Sequence, residues 1–324
     1  AAQIPLFLAR AWSEAMAGRM GPVHLNIPVD LFAAEVANPL PVPRLIETAR
    51  PQPDPRDVER ALALLRAAQR PVVIAGSGVW WADAREELSA FLKKTRLPYY
   101  SITMARGVIS DMWRYALGYA DPALNKAVRR AFQESDVVLV LGKRIDYRLA
   151  LGGPRLFAPE AKFIQVDIHP QELGRNRGLD VAICADVRET LGALTDALGR
   201  ESWRPGAWMR RVRRYDAEWR AELDAMAADT SAPLHPAAVY RALREGALPI
   251  DTHISWDGGD FAHWGRAMVP AYIEGGWLRL GPLATIGAAL PNVIALKLAT
   301  PRHPVALITG DGALGFYLGE FDTL

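Results

Sequence analysis

Residues 305–313 read VALITGDGA, an apolar run that ends in two glycines on either side of one carboxylate. The run 305–309 predicts a buried strand, and the turn Gly310-Asp311-Gly312 leads into a predicted helix. Glycines allow the backbone to approach a ligand, and exposed backbone N–H groups suit phosphate oxygens. A single aspartate at the end of a parallel strand can hold Mg²⁺ together with the phosphates of a ligand. The same residues also fit an ordinary tight turn, so a purely structural role stays open.

The segments before this turn predict an α/β unit around it. Strands are predicted at residues 253–256 and 277–280, and a helix at about residues 286–298. Residues 256–261 read WDGGDF, a strand that runs into a glycine-rich turn and a helix. This turn is either a plain loop or a second wall of a phosphate site. From the pattern alone, Ile286 is a core residue.

Between residues 70 and 200, predicted strands and helices alternate. The strands are expected at residues 71–75, 98–102, 137–141, 163–168 and 181–184, with helices at residues 84–94, 122–132, 171–175 and 187–198. Several strands are continuously apolar, as expected for a parallel sheet that helices cover on both faces. We therefore predict an α/β fold with doubly wound parallel sheets. Gly76-Ser77-Gly78 begins like a dinucleotide-binding fingerprint but lacks its third glycine, which argues against NAD binding.

The pattern also divides the chain into segments. Residues 1–33 contain a predicted helix (9–16) and strand (23–27), and the proline-dense residues 34–57 predict a linker. Asp54 and Pro55 fit a helix N-cap and first helical position. We predict a central domain at 58–200, a linker helix at 201–232 and a further domain at 233–324. The chain lacks an initiator methionine and breaks off in a predicted helix at 318–324, so we interpret it as an internal stretch of a longer protein.

Composition excludes several classes of protein. The 38 basic and 36 acidic residues nearly balance, whereas a nucleic-acid-binding domain concentrates positive charge. Cys184 is the single cysteine, so an internal disulfide is impossible and a thiolate zinc site is not expected. No apolar run approaches the roughly 20 residues that a membrane span needs. We expect a cytoplasmic protein without nucleic-acid or membrane partners.

Residues 308–324, ITGDGALGFYLGEFDTL, resemble a segment of the thiamine-diphosphate enzymes of the acetolactate synthase-like group. The resemblance implies that Asp311 ligates Mg²⁺, that Gly310 belongs to the same turn, and that Gly312 and Ala313 offer N–H groups to the diphosphate. The family's second ligand, an Asn, is expected beyond residue 324. Residues 257–261 (DGGDF) resemble the opposite wall of that site, and residues 284–291 (ATIGAALP) resemble the segment that holds the aminopyrimidine. These two segments add Gly258, Gly259, Asp260, Ala284, Thr285 and Ile286, whose bulky side chain would bend the cofactor.

The central region is similar to the same family at residues 135–153, 161–176 and 185–194, and residues 18–32 resemble the end of its pyrimidine-binding domain. In that family the central domain holds FAD or ADP, although some members have lost the nucleotide. The matching positions are Gly76, Gly78, Arg144, Arg148, Asp167, Ile168, Asp186 and Val187. Helix capping is an alternative role for the two aspartates.

The resemblance implies an enzyme that uses thiamine diphosphate and Mg²⁺ to form or cleave C–C bonds of a 2-keto acid, an aldehyde or an acyl-CoA compound. It also implies a homo-oligomer, dimer or tetramer. The activating Glu of the family is expected before residue 1, so we assign no catalytic residue here and expect the chain alone to be inactive. Acetolactate synthase, 2-hydroxyacyl-CoA lyase, oxalyl-CoA decarboxylase and benzaldehyde lyase remain alternatives within the family. A non-catalytic FAD- or ADP-binding module is the alternative outside it.

Overall fold

The structure, a computed structural model, describes residues 1–36, 43–45, 49–229, 231–281 and 283–323. The predicted linker at 34–57 therefore lies partly outside the described residues, at 37–42 and 46–48, and so does Leu324, the last residue of the predicted helix at 318–324. The predicted domain boundaries stay predictions. Within the described residues, none of the helices combines the length and the apolar character that crossing a bilayer requires.

A six-stranded parallel sheet forms the centre of the molecule. Its strands are β1 (Pro71–Ala75), β2 (Tyr99–Ser101), β3 (Ala116–Tyr119), β4 (Val137–Leu141), β5 (Lys162–Asp167) and β6 (Val181–Cys184), in the order β3-β2-β1-β4-β5-β6. This order reverses between β1 and β4, as in doubly wound folds. Both faces of the sheet are covered, because every residue of β1 and β4 is buried. The predicted fold class is confirmed.

Helices pack on the two faces and extend the chain toward a smaller sheet. They are α1 (Ile4–Met16), α2 (Pro55–Ala67), α3 (Ser77–Trp81), α4 (Arg85–Thr95), α5 (Lys126–Glu134), α6 (Val187–Ala197), α7 (Ala207–Ala228), α8 (Pro236–Gly246), α9 (Gly259–Met268), α10 (Ala289–Ala299) and α11 (Asp311–Leu314). As predicted, Asp54 caps α2 and accepts a hydrogen bond from the Arg56 N–H. One face of α7 is buried and is therefore a packing face; it carries Trp208, Val212, Tyr215, Trp219 and Leu223. The smaller sheet is parallel and consists of β7 (His253–Trp256), β8 (Trp277–Arg279) and β9 (Val305–Ile308), in the order β8-β7-β9.

Several predicted elements are wrong. Residues 23–27 form no strand, since they pair with no other strand among the described residues. Residues 171–175 do not form an α-helix: a short 3₁₀ turn spans Pro170–Glu172, and Gly174 then takes a positive φ of 70°. In place of the predicted terminal helix, 3₁₀ turns span Gly315–Asp322, interrupted at Tyr317 by non-helical dihedral angles.

The histidine that opens β7 predicts a pH dependence of stability. His253 is buried, and its pKa lies below the usual 6.5 because burial and then the neighbouring His303 disfavour its charge. The unfolded chain therefore binds this proton more readily than the folded chain does, so stability should be complete above about pH 6.5 and decline as pH falls below it. Asp251, 3.7 Å from His303, partly opposes the effect.

Thermal melts from pH 7.5 to pH 5 would check this expectation on the full chain. His253→Asn should flatten the loss of melting temperature on acidification. His24→Asn, at an exposed histidine, should leave the slope unchanged. Equal slopes for His253→Asn and the unsubstituted chain would contradict the assignment.

Candidate functional site

Three loops meet at the carboxyl edge of the smaller sheet. Trp256, the last residue of β7, is in register with Arg279 of β8 on one side and with Ile308 of β9 on the other. Because all three strands are parallel, the segments that follow them leave the sheet at the same edge. These segments are residues 257–260, 280–287 and 309–313. The structure thus brings the three predicted cofactor-binding stretches to one edge.

Asp257 connects these loops. Its side chain is 1% exposed and accepts hydrogen bonds from the backbone N–H of Gly258 at 2.8 Å and of Gly287 at 3.1 and 3.2 Å. Its own N–H donates to the Ile308 carbonyl at 2.8 Å. One buried carboxylate therefore fixes the first two loops to each other, and its backbone fixes them to the end of β9. Sequence reasoning did not single it out, although a carboxylate directly before two glycines at a strand end was the available signal.

The Gly-Asp-Gly turn is open toward solvent. Asp311 and Gly312 are exposed, and a Cβ added at Gly310 or Gly312 would meet no atom within 4 Å. The Asp311 carboxylate makes no hydrogen bond or ion pair with another described residue. Ala313 is buried in α11, whose first-turn N–H groups have no intrahelical acceptors. The turn thus offers one unengaged carboxylate beside unengaged backbone donors.

The turn after β7 has a similar form. Gly258 precedes α9, and Gly259 has a φ of +90°, a conformation that favours glycine. No atom lies within 4 Å of a Cβ added at Gly259, so space is open in front of the helix. The start of a helix carries unpaired N–H groups and a partial positive charge, which together suit a phosphate. Asp260 is exposed in the first turn and adds a negative charge there.

The loop after β8 presents Ile286 outward. This side chain is 51% exposed, so its assignment to the core is wrong. The reason is that α10 begins only at Ala289, which leaves Ile286 off the buried face of that helix. Gly287 has a φ of +91°, and a Cβ there would lie 2.8 Å from the Phe316 Cβ. Ala284 takes a φ of +50°, a region in which an L-residue is strained.

The residues predicted to bind FAD or ADP lie along the carboxyl edge of the six-stranded sheet. Gly76 and Gly78 follow β1, where the strand order reverses. A Cβ on Gly78 would lie 2.6 Å from the Cα of Gly142, which follows β4, so these glycines are required for close packing of two strand ends. Asp167 is the last residue of β5, and the other members of the set follow β4, β5 and β6, namely Arg144, Arg148, Ile168, Asp186 and Val187.

The charged members of this set already have protein partners. Asp186 accepts hydrogen bonds from the first N–H groups of α6, as the helix-cap alternative predicted. Asp167 instead accepts from the His169 N–H at 2.9 Å and caps no helix. Burial is the main cause that raises the Asp167 pKa above its ordinary value. Arg148 pairs with Asp121 at 3.1 Å. A nucleotide would have to displace or share the Arg148 contact.

Comparisons with known proteins agree with this arrangement. Residues 58–194 match the central domain of thiamine pyrophosphate enzymes, and residues 257–324 match their C-terminal TPP-binding domain. The acetolactate synthase large subunit IlvG of Mycobacterium tuberculosis is 31% identical over 320 residues, which cover 98% of this chain and 56% of that protein. The acetolactate synthase large subunit of Corynebacterium glutamicum is 33% identical over 327 residues, covering 99% of this chain and 51% of that protein.

A probable acetolactate synthase large subunit of Methanocaldococcus jannaschii is 31% identical over 329 residues, covering 98% of this chain and 54% of that protein. The chain thus spans about half the length of the curated relatives that it matches. The two domain matches follow each other along the chain: the first covers the six-stranded sheet, and the second covers β8, β9 and the turns of the candidate site. This chain belongs to the thiamine pyrophosphate enzyme family.

Proposed function

We propose that this chain supplies the cofactor-binding part of a thiamine-diphosphate- and Mg²⁺-dependent enzyme that forms or cleaves C–C bonds of 2-keto acids, as an acetolactate synthase does. The observation that carries the proposal is the unengaged Asp311 carboxylate at an edge where Asp257 fixes two further loops. Mg²⁺ takes one or two carboxylates together with phosphate oxygens, and one exposed aspartate beside open backbone donors fits that need.

Each loop has a separate task in this proposal. Asp311 would hold Mg²⁺, while the N–H groups of Gly312, Ala313 and Gly259 would bind the diphosphate. Ile286 would support the cofactor from the loop after β8, because its exposed side chain stands free of the core. When bound, thiamine diphosphate supplies the electron sink for C–C bond chemistry. The described residues bind and orient it; the activating carboxylate is not assigned to them, and we expect no turnover from the chain alone.

A nucleotide in the central domain is a second part of the proposal. The reversal of strand order between β1 and β4 is the position where doubly wound folds bind such ligands. FAD or ADP would lie there, with Arg144, Asp167 and Ile168 in reach. Equilibrium dialysis with each nucleotide tests this part independently of thiamine diphosphate.

We also propose a substrate and an assembly, both because this chain resembles the acetolactate synthase-like group. The acyl donor would be a 2-keto acid, with an aldehyde or an acyl-CoA compound as the alternative class, and the enzyme would work as a homo-oligomer in the cytoplasm. Turnover should be measured on the full-length protein with thiamine diphosphate and Mg²⁺. We expect CO₂ release from pyruvate that disappears without the cofactor. Release only from an acyl-CoA substrate would move the assignment to the lyases and decarboxylases of the family.

A further inference from the structure

A polar cavity of about 150 Å³ lies between the central domain, α7 and the end of α9. Since roughly 10–15 Å³ is enough for one water molecule, this cavity can hold a polyatomic ion. Arg106 and Tyr119 from the central domain, Arg220 from α7 and Arg266 from α9 are among the residues that line it. The cavity belongs to no segment assigned above to thiamine diphosphate.

Arg266 has no partner among the described residues. Its side chain is 4% exposed, yet it makes no hydrogen bond and no ion pair with any of them. A buried charge is costly unless an opposite charge or hydrogen-bond acceptors compensate it. No described residue therefore compensates the buried positive charge of Arg266, and an anion in the cavity that it lines would do so.

Three more arginines lie around Tyr119, and they add positive charge near Arg266. Arg279 donates a hydrogen bond to the Tyr119 hydroxyl at 2.7 Å, and the Arg106 guanidinium lies 5.3 Å from the centre of the same ring. Arg106 pairs with Asp111, and Arg148 pairs with Asp121 at 3.1 Å. Four guanidinium groups therefore face two carboxylates, which leaves a local excess of two positive charges.

The rest of the cavity wall does not cancel this excess. Arg220 pairs with Asp216 at 2.8 Å, and Arg244 and Asp224 contribute one charge of each sign. The pKa of Arg266 is lowered to about 10, first by burial and then by the positive charge of Arg279. Both causes would weaken if an anion lay between the two side chains.

Several buried polar atoms in this region can only donate a hydrogen bond, and they have no acceptor among the described residues. They are the Nε atoms of Arg106 and Arg266, which line the cavity, the Nε atom of Arg279, which contacts the cavity residue Tyr119, and the Nε1 atom of Trp277. Trp277 belongs to the same group, because the Arg106 guanidinium lies 4.7 Å from its ring. Buried donors in native proteins are nearly always paired, so a ligand that suits them must bring several acceptor oxygens.

We propose that this arginine-lined cavity binds a phosphate group. A phosphate carries close to two negative charges and only acceptor oxygens at neutral pH, which matches both the local charge excess and the unpaired donors. The group is inorganic phosphate, because a nucleotide is already proposed at another place, the reversal of strand order between β1 and β4. The site depends on neither thiamine diphosphate nor that nucleotide, so its failure would leave the proposed function untouched.

Isothermal titration of the full chain with inorganic phosphate and with acetate tests the site. Phosphate should bind to the unsubstituted chain, and acetate, with one charge, should bind much more weakly. Arg266→Gln should weaken the binding at least about tenfold, because it removes a charge-assisted donor. Arg213→Gln, which removes an exposed arginine of α7, is the matched control and should bind as the unsubstituted chain does.

Melting curves show whether Arg266→Gln is still folded. Arg266→Gln should melt no lower than the unsubstituted chain without phosphate, since it removes an uncompensated buried charge, and should lose the rise in melting temperature that phosphate causes. Arg279→Gln provides a second variant with the same expected loss of binding. If phosphate fails to bind, if acetate binds equally well, or if folded Arg266→Gln retains full affinity, the proposal is overturned.

Discussion

Replacing Asp257 by alanine is expected to separate the loops of the candidate site and to lower the free energy of unfolding by about 2–4 kcal/mol. The reason is that the Gly258 and Gly287 N–H groups lose their acceptor, and each buried donor left unpaired costs about 1–3 kcal/mol. Thiamine diphosphate affinity should also fall by about 10–100-fold, as is usual when a residue that orients a metal site is removed. Denaturant unfolding and cofactor titration measure the two effects.

Two variants control this experiment. Asp257→Asn keeps one acceptor oxygen and should lose less stability than Asp257→Ala. Asp251→Ala removes a carboxylate just before the same strand, where the side chain is 55% exposed, and should leave cofactor affinity unchanged. Unaltered stability and affinity in Asp257→Ala would show that the loops are held by other contacts.

The second large effect is expected at Asp311. Asp311→Ala should reduce Mg²⁺-dependent binding of thiamine diphosphate by about 100-fold or more, because the turn would lose the carboxylate that we propose as the Mg²⁺ ligand. Stability should change by less than about 0.5 kcal/mol, since the side chain is exposed and makes no hydrogen bond or ion pair with a described residue. Asp322→Ala, at an exposed aspartate further along the chain, should alter neither quantity.

Local sequence pattern was sufficient where a strand is an unbroken run of apolar residues. The predicted strands at residues 71–75, 137–141 and 181–184 have the observed bounds of β1, β4 and β6. β3 was missed because it includes Gly118 at a φ of +78° and pairs with β2 through a register shift. Residues 23–27 show the converse: their alternating pattern forms no strand, because no strand among the described residues pairs with them.

Site residues were predictable to the extent that their role is local. The glycine turns after β7 and β9 could be read from the sequence because turn chemistry needs only adjacent residues. The contact of Asp257 with a second loop could not be read in this way, since its partner, the Gly287 N–H, lies 30 residues away along the chain. The exposed position of Ile286 likewise depends on where α10 begins, which is only at Ala289. The cavity around Arg266 could not be predicted either, because the arginines next to it come from distant parts of the chain.

The most direct test of the account is a calorimetric titration of thiamine diphosphate into the full-length protein, with and without Mg²⁺. Asp311 at the edge of the β8-β7-β9 sheet predicts saturable binding at one site per chain that requires Mg²⁺ and is lost in Asp311→Ala. Binding of equal strength without Mg²⁺, or undiminished binding by Asp311→Ala, would contradict it.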